Sequence, residues 1–392
     1  MPSSRRDFLA RSARLGVLLG AGIPILQACG DDESSGGRKK VTKAIEDGLE
    51  PEAGPLRIIN YADYVNPEVI ANFESEFGVK VEISTIDTDT EATTKLASGA
   101  IKADVHHSMA VRTTGYNIEG GLIQPLNKSY LPNLNNVFPF FLDPWYDPGA
   151  TYTVPYTFFG TGIGYRTDRI DPAQIEADGW DSIWNATGFK GEVSVLDDER
   201  EAFTMSILRR GSTDFNTADD KVIKAALDDV SALIDLVNIK VNIEGYKDIP
   251  EGTTTIAQTW SGDIIGGAAG YLPEGTSDEV LGFWHPPAGE YVLTNDNMGI
   301  VANAEHPVLA HMYLNYLLDN DVAELNFYWN GYLPALTKLD ATYLVDAGLV
   351  PEHLLACVPT QDEIDKALYF EPLGLEGDSK WAEAWSTFIS GG

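Results

Sequence analysis

Three consecutive runs decide the fold: Leu56-Arg-Ile-Ile-Asn-Tyr61, then Asn66-Pro-Glu-Val-Ile-Ala-Asn-Phe-Glu-Ser-Glu-Phe77 closed by Gly78, then Val79-Lys-Val-Glu-Ile-Ser-Thr-Ile86. The first is short and apolar enough to be a buried strand. The second places apolar residues at helical spacing, with Pro67 in the first turn and Gly78 as the stop. The third alternates apolar and polar residues, the pattern of a second strand. A strand, a helix and a strand in this order predict an α/β sheet.

Outward from this unit, helical patterns recur over 202–210, 217–237, 307–318 and 322–329. Strand-like runs recur near 152–155, 162–165, 192–196 and 298–302. No internal repeat is visible. The neighbourhoods of Pro155-Tyr156 and Asp296-Asn297 read as places where the chain crosses between two lobes.

With 392 residues, 44% of them hydrophobic, the chain can bury a large core, which excludes disorder and predicts two lobes. Its 59 Asp and Glu against 27 Lys and Arg give a net charge of -32, which excludes nucleic acid as a partner, because phosphate binding needs a basic face. The charge favours cationic or neutral ligands. Solubility or adaptation to salt explains it equally well at the level of the whole protein.

Ser4-Arg-Arg-Asp-Phe-Leu9 is a twin-arginine pattern, and Arg11 and Arg14 lead into an uncharged run over 15–26. That run is far shorter than the roughly 20 residues a membrane span needs, so residues 1–28 read as an export signal. It ends at Leu26-Gln-Ala-Cys29, which resembles a lipoprotein cleavage box and predicts lipidation of Cys29. Cleavage there removes four Arg and one Asp and leaves a charge of -35. A chance cysteine in an ordinary secretory signal is the alternative. Residues 29–55, rich in Asp, Glu, Ser, Gly and Lys, read as a lipidated tether. They predict a body in the periplasm or on the outer face of the cell membrane. Cys357 is left without a partner in the chain.

The sequence has no Walker loop, no Gly-x-Ser-x-Gly elbow and no His-Glu-x-x-His helix. Gly160-Thr-Gly-Ile-Gly164 has the wrong spacing for a dinucleotide turn and reads as a closely packed strand. On a strand, His106 and His107 face opposite sides, which argues for structural roles. Neither a metal nor a cofactor is expected, and nothing near Cys357 supplies a base for nucleophilic chemistry.

What remains is carboxylates beside aromatic rings: Tyr61-Ala-Asp-Tyr64, Asp197-Asp-Glu-Arg-Glu201 and Trp260-Ser-Gly-Asp263, each after a predicted strand. In α/β sheets, ligands sit at the carboxyl ends of strands. A protonated amine needs a carboxylate in place of the water it loses, and its methylenes need an apolar wall. A ring supplies that wall and attracts the cation through its face, worth about 0.5–2 kcal/mol per contact. Repeated along a cleft, the arrangement suits a linear polyamine. Singly, each piece has a plainer explanation: Asp197-Asp198 as a helix cap, Trp260 as core, and Tyr61 and Tyr64 as packing.

From Leu56 to its end the chain resembles the bacterial spermidine/putrescine substrate-binding proteins of ABC transporters. The resemblance is carried by Asn60-Tyr-Ala-Asp-Tyr64, Leu122-Ile-Gln-Pro-Leu126, Val154-Pro-Tyr156 with Gly160-Thr-Gly-Ile-Gly164, Leu196-Asp-Asp-Glu-Arg-Glu201, Trp260-Ser-Gly-Asp263, Asp296 with Ile300-Val-Ala-Asn303, and Gly331-Tyr-Leu-Pro334. It implies a two-lobed periplasmic-binding-protein fold of type II-like α/β architecture, with hinge-crossing segments and a ligand cleft between the lobes. Lobe 1 is expected at 56–157 plus 294–331, and lobe 2 at 158–293 plus 332–392. The implied activity is non-enzymatic: a monomeric receptor binds a polyamine and delivers it to ABC permease subunits in the membrane.

Residue by residue, the resemblance makes Asp198 and Glu201 the acidic pair that receives amino groups. Trp260 becomes the ring along which the alkyl chain lies, Asp263 a carboxylate of putrescine-type members, and Asp296 the central carboxylate. Tyr64 and Tyr332 become walls, and Asp63 an acidic loop position beside Tyr61. Several positions depart from the pattern. Tyr61 and Thr294 stand where many members carry Trp or Phe, Ala62 replaces a small hydroxyl residue, Ser386 replaces a glutamine, and the stretch 105–109 is followed by an extra residue. These departures imply a box with fewer rings and leave putrescine, spermidine and a related cation open. Two other readings stand beside this one: a receptor for another cationic solute (an amino-acid-derived cation, a thiamine-like compound or an iron complex), and an exported hydrolase using Asp198 and Glu201 as acid and base.

Overall fold

The structure, a computed structural model, describes residues 40–391. The export signal, Cys29 and the first part of the tether lie outside the described residues.

Strands β1 (Leu56–Tyr61) and β2 (Val81–Ile86) pair in parallel and are joined by the helix Pro67–Phe77, as the opening stretch predicts. Local chemistry sets the bounds of that helix. The Asn66 side chain accepts from the Glu68 N–H at its start, and Gly78 at φ 67° ends it in a conformation that costs other residues more. Val69 and Phe73 form its buried face.

β3 (Val105–Ala110) joins the other side of β1 in parallel. The long strand β4 (Thr153–Arg166), then β5 (Val193–Val195), β6 (Lys240–Val241), β7 (Ile256–Trp260), β8 (Leu281–Trp284), β9 (Leu293–Ile300) and the short β10 (Leu333–Pro334) complete one mixed sheet. Its main path runs β2-β1-β3-β9-β4-β7-β5-β6, with β8 and β10 added on β4. The expected two-lobed architecture appears here as two half-sheets sharing β4. This strand pairs antiparallel with β9 up to Gly160 and with β7 from Thr161 onward.

The runs near 152–155 and 162–165, read as separate strands, are therefore one. Glycines permit this where a side chain has no room: a Cβ on Gly160 would lie 2.0 Å from the Tyr291 hydroxyl, and one on Gly162 would lie 2.2 Å from the Trp284 carbonyl oxygen. The helix Ser261–Gly270 was not foreseen, because its glycines argue against a helix. Tertiary packing overrides that propensity, since Gly262 lies under the Tyr332 ring and Gly266 against the Asn330 carbonyl.

Two expectations need correction. The tether does not run to residue 55 as a free segment. Glu52 accepts from Val308 and Leu309 N–H at 3.2 and 2.9 Å, at the open end of the helix Pro307–Leu317. Asp47 takes bonds from Asn127 and Ser129, so residues 45–52 are strapped to the body. The second concerns the chain after residue 331, expected to belong wholly to lobe 2. It first returns to the other half, with Leu333 opposite Phe158 in β4. Further on, Phe370 and the last helix, Gly374–Ile389, through Trp381 and Phe388, pack into the second core.

Candidate functional site

The three acidic and aromatic segments do fall at strand ends. Residues 61–64 begin on the last residue of β1, Asp198 to Glu201 follow β5, and Trp260 to Asp263 begin on the last residue of β7. Strand β4 runs past all of them. Thr157, Phe159 and Thr161 alternate onto one of its faces, and their partners across the ladder are Asp296, Thr294 and Trp260.

Asp296, Glu201 and Asp263 are 5, 5 and 2% exposed, so each carboxylate has left water. Asp296 Oδ2 accepts from the Tyr64 hydroxyl at 2.8 Å, and Thr157 Oγ1 lies 2.6 Å from the same hydroxyl. Glu201 accepts from Thr161 Oγ1 at 2.9 Å and from Trp260 Nε1 at 3.0 Å. Asp263 accepts from Thr259 Oγ1 at 2.6 Å and from the Tyr332 hydroxyl at 2.7 Å. All these donors are neutral. Burial pushes the Asp296 carboxyl up to about 7, Glu201 to about 7 and Asp263 to about 6. The nearby Asp89 adds to the rise at Asp296, and Asp198 adds to that at Glu201.

The rings form a continuous wall. Tyr61 meets Tyr64 at 5.7 Å between centroids, Tyr64 meets Tyr332 at 5.5 Å, Tyr332 meets Phe159 at 4.9 Å, and Phe159 meets Trp260 at 6.0 Å, each edge to face. Phe159 is the residue that the sequence reading missed. It lies directly opposite Thr294, on the same face of the sheet. Asp89, whose carboxylate takes the Thr113 hydroxyl at 2.7 Å, is a buried acid that also went unnoticed. It sits in the first turn of the helix Asp89–Ser98.

Other expected residues sit differently. Asp198 Oδ1 accepts from the N–H groups of Arg200 and Glu201, so the capping explanation holds for that oxygen. Asp63 is exposed in left-handed backbone (φ 55°), with its carbonyl taking the Trp329 indole, and the structure does not bring it among the buried carboxylates. Ser386 is exposed, whereas its neighbour Trp385 reaches Asp197. Within 105–109 the strand carries a bulge: Ser108 has φ 113° and no partner between His107 and Met109 in the ladder. His106 and His107 are buried and neutral, since burial lowers both to about 3. His107 packs against Tyr156 and Tyr313. Among the described residues, no group of His, Cys, Asp and Glu is arranged to hold a metal ion, and no helix is long and apolar enough to cross a membrane.

The chain has relatives among known proteins. The family described as bacterial extracellular solute-binding protein matches residues 68–348. A spermidine/putrescine-binding periplasmic protein of Salmonella typhimurium is 30% identical over 272 residues, 69% of this chain and 74% of that one. A putrescine/cadaverine-binding protein of Pseudomonas aeruginosa is 29% identical over 274 residues, 68% of this chain and 75% of that one. Among solved structures, the spermidine/putrescine ABC transporter substrate-binding protein PotD of Streptococcus pneumoniae has the same fold. It superimposes with a TM-score of 0.68 at 23% identity, covering 86% of this chain and 98% of that one. Matched over most of its length, the chain belongs to the bacterial extracellular solute-binding proteins.

Proposed function

We propose that the chain is an extracytoplasmic receptor that takes a polyamine, putrescine or spermidine, into an acidic and aromatic cleft between its lobes and delivers it to an ABC permease. One observation carries the reading: three buried carboxylates contributed by both half-sheets, each hydrogen-bonded to neutral donors, beside an unbroken wall of rings. Such carboxylates lack a cation, and ammonium groups joined by methylenes supply several at once. Thr157 and Thr161, which mark the two ends, are four residues apart on β4, about 13 Å in an extended strand. That span suits a flexible chain with separated charges better than a single cation. The names of the relatives, which bind spermidine, putrescine or cadaverine, point the same way.

Asp296, Glu201 and Asp263 receive ammonium groups, while Tyr64, Tyr332 and Trp260 line the methylenes. Tyr61, half-buried between Asp89, Asp296 and Asp198, closes one end, and Asp63 stands at the rim. Closure follows from contacts the ligand makes with both halves at once, and no covalent step is needed. The hydrolase reading is weaker, because Asp198 is occupied as a cap and Glu201 is held by Trp260 and Thr161. Anchoring through lipidated Cys29 after twin-arginine export is part of the proposal and rests on the Leu26–Cys29 box.

The test is calorimetric titration with putrescine, spermidine, cadaverine and an uncharged diol at two salt concentrations. Saturable binding of an amine, weakened by salt, with none of the diol, is the expected result. Silence with every amine removes the polyamine reading.

A further inference from the structure

The helix Val111–Glu119 follows β3 in the first half of the sheet, and one of its faces docks on the second half. Arg112, Gly115 and Tyr116, spaced three and four apart, share that face. Arg112 Nη1 lies 3.1 Å from Glu199 Oε1, and Nη2 lies 3.6 Å from Asp198 Oδ2. Tyr116 donates its hydroxyl to Asp378 on the last helix, and a Cβ on Gly115 would meet Pro372 at 3.8 Å. Arg200, the other arginine of this region, turns away from the cleft. Its guanidinium sits over the Phe370 and Trp381 rings at 5.2 and 4.8 Å and donates to Asn216 Oδ1 at 2.7 Å.

The acids therefore fall into two sets. Asp296, Glu201 and Asp263 have only neutral donors. Asp198 and Glu199 already face a guanidinium, which stays charged at every physiological pH. The Arg112 side chain is only 19% exposed, so an ammonium arriving at its acids would displace it and leave a partly desolvated charge unpaired.

We propose that Arg112 determines specificity: it is a resident cation that fills the Asp198–Glu199 end of the cleft and limits how many ligand ammonium groups are taken, favouring a diamine over a triamine. The inference rests on the polyamine reading and adds a selectivity rule to it. It also reassigns Asp198 from an acceptor of ligand amine to the partner of Arg112.

The experiment compares the full chain with Arg112→Gln and Arg112→Lys in titrations with putrescine and spermidine, with thermal unfolding confirming that each variant folds. Arg112→Gln leaves two acids without a cation, and the ratio of the two affinities should move at least about tenfold toward spermidine. Arg112→Lys keeps the charge and should hold the ratio within about threefold of the unmodified chain. If Arg112→Gln does not fold, Arg112→Met keeps the stem without the charge and reads the same ratio. A ratio unchanged within about twofold, or a parallel loss of both affinities, overturns the inference and reduces Arg112 to a contact between the lobes. If the unmodified chain binds neither amine, the polyamine reading falls first and takes this inference with it.

Discussion

Asp296 shows how one position combines burial, charge and partner. Its carboxyl sits against Tyr64 with Asp89 nearby, and desolvation holds its proton up to about 7. A neutral amide of the same shape would keep the Tyr64 contact and lose only the charge. Asp296→Asn is therefore expected to leave thermal stability nearly unchanged. Polyamine affinity should fall by about 3–5 kcal/mol, the cost of removing one partner of a buried ion pair. Calorimetry on the variant, alongside its melting curve, reads both quantities. Unchanged affinity would take Asp296 out of the site.

At the scale of elements, the helix Ser261–Gly270 positions Asp263 by lying unusually close to its neighbours. A Cβ on Gly262 would meet the Tyr332 ring at 2.6 Å, and one on Gly331, at φ 76°, would meet the Gly266 amide at 2.2 Å. Tyr332 is the residue that both donates to Asp263 and joins the wall of rings at Tyr64 and Phe159. Gly262→Ala should push that ring out of place, costing about 1–3 kcal/mol of stability as overpacking does. Because the same movement breaks the bond to Asp263, ligand affinity should drop in the same variant. Chemical denaturation and titration together test this, and an alanine variant with normal binding would show that the helix can shift without moving the site.

For the whole molecule, the three raised carboxyls link proton and ligand. A carboxyl whose pKa rises on folding holds its proton more tightly in the native state. Its contribution to the stability of the ligand-free protein is thus favourable at low pH and fades as pH rises from the unfolded values, near 4, through 6 to 7. Binding has the opposite sign, because an ammonium needs the ionised form. Polyamine affinity should climb about tenfold or more between about pH 5.5 and about pH 7.5 and level off above. Near pH 6.5 binding should release protons, seen as a dependence of the calorimetric heat on the buffer's ionisation enthalpy. A heat independent of buffer at that pH would mean that these carboxyls are not the ligand's partners.

Much of this protein was legible in its residues alone. The β-α-β start follows from local periodicity and from Asn66 and Gly78 as terminators, features that act within a few residues of one another. That the segments carrying Asp198, Glu201, Trp260 and Asp263 lie at strand ends was also legible, because it requires only knowing where strands stop. What only the tertiary structure decided depends on pairings between distant parts of the chain. Phe159 joins the wall of rings beside Thr294 because the ladder sets the two residues side by side. Arg112 meets Asp198 and Glu199, 86 and 87 positions further on, only because the two half-sheets bring their strand ends together. Residues 45–52 read as tether from composition, yet their polar groups find partners at Asn127, Ser129 and the open end of a helix. Composition and periodicity describe a segment and its neighbours, whereas register and burial depend on which remote segment lies opposite, and that is settled when the core forms.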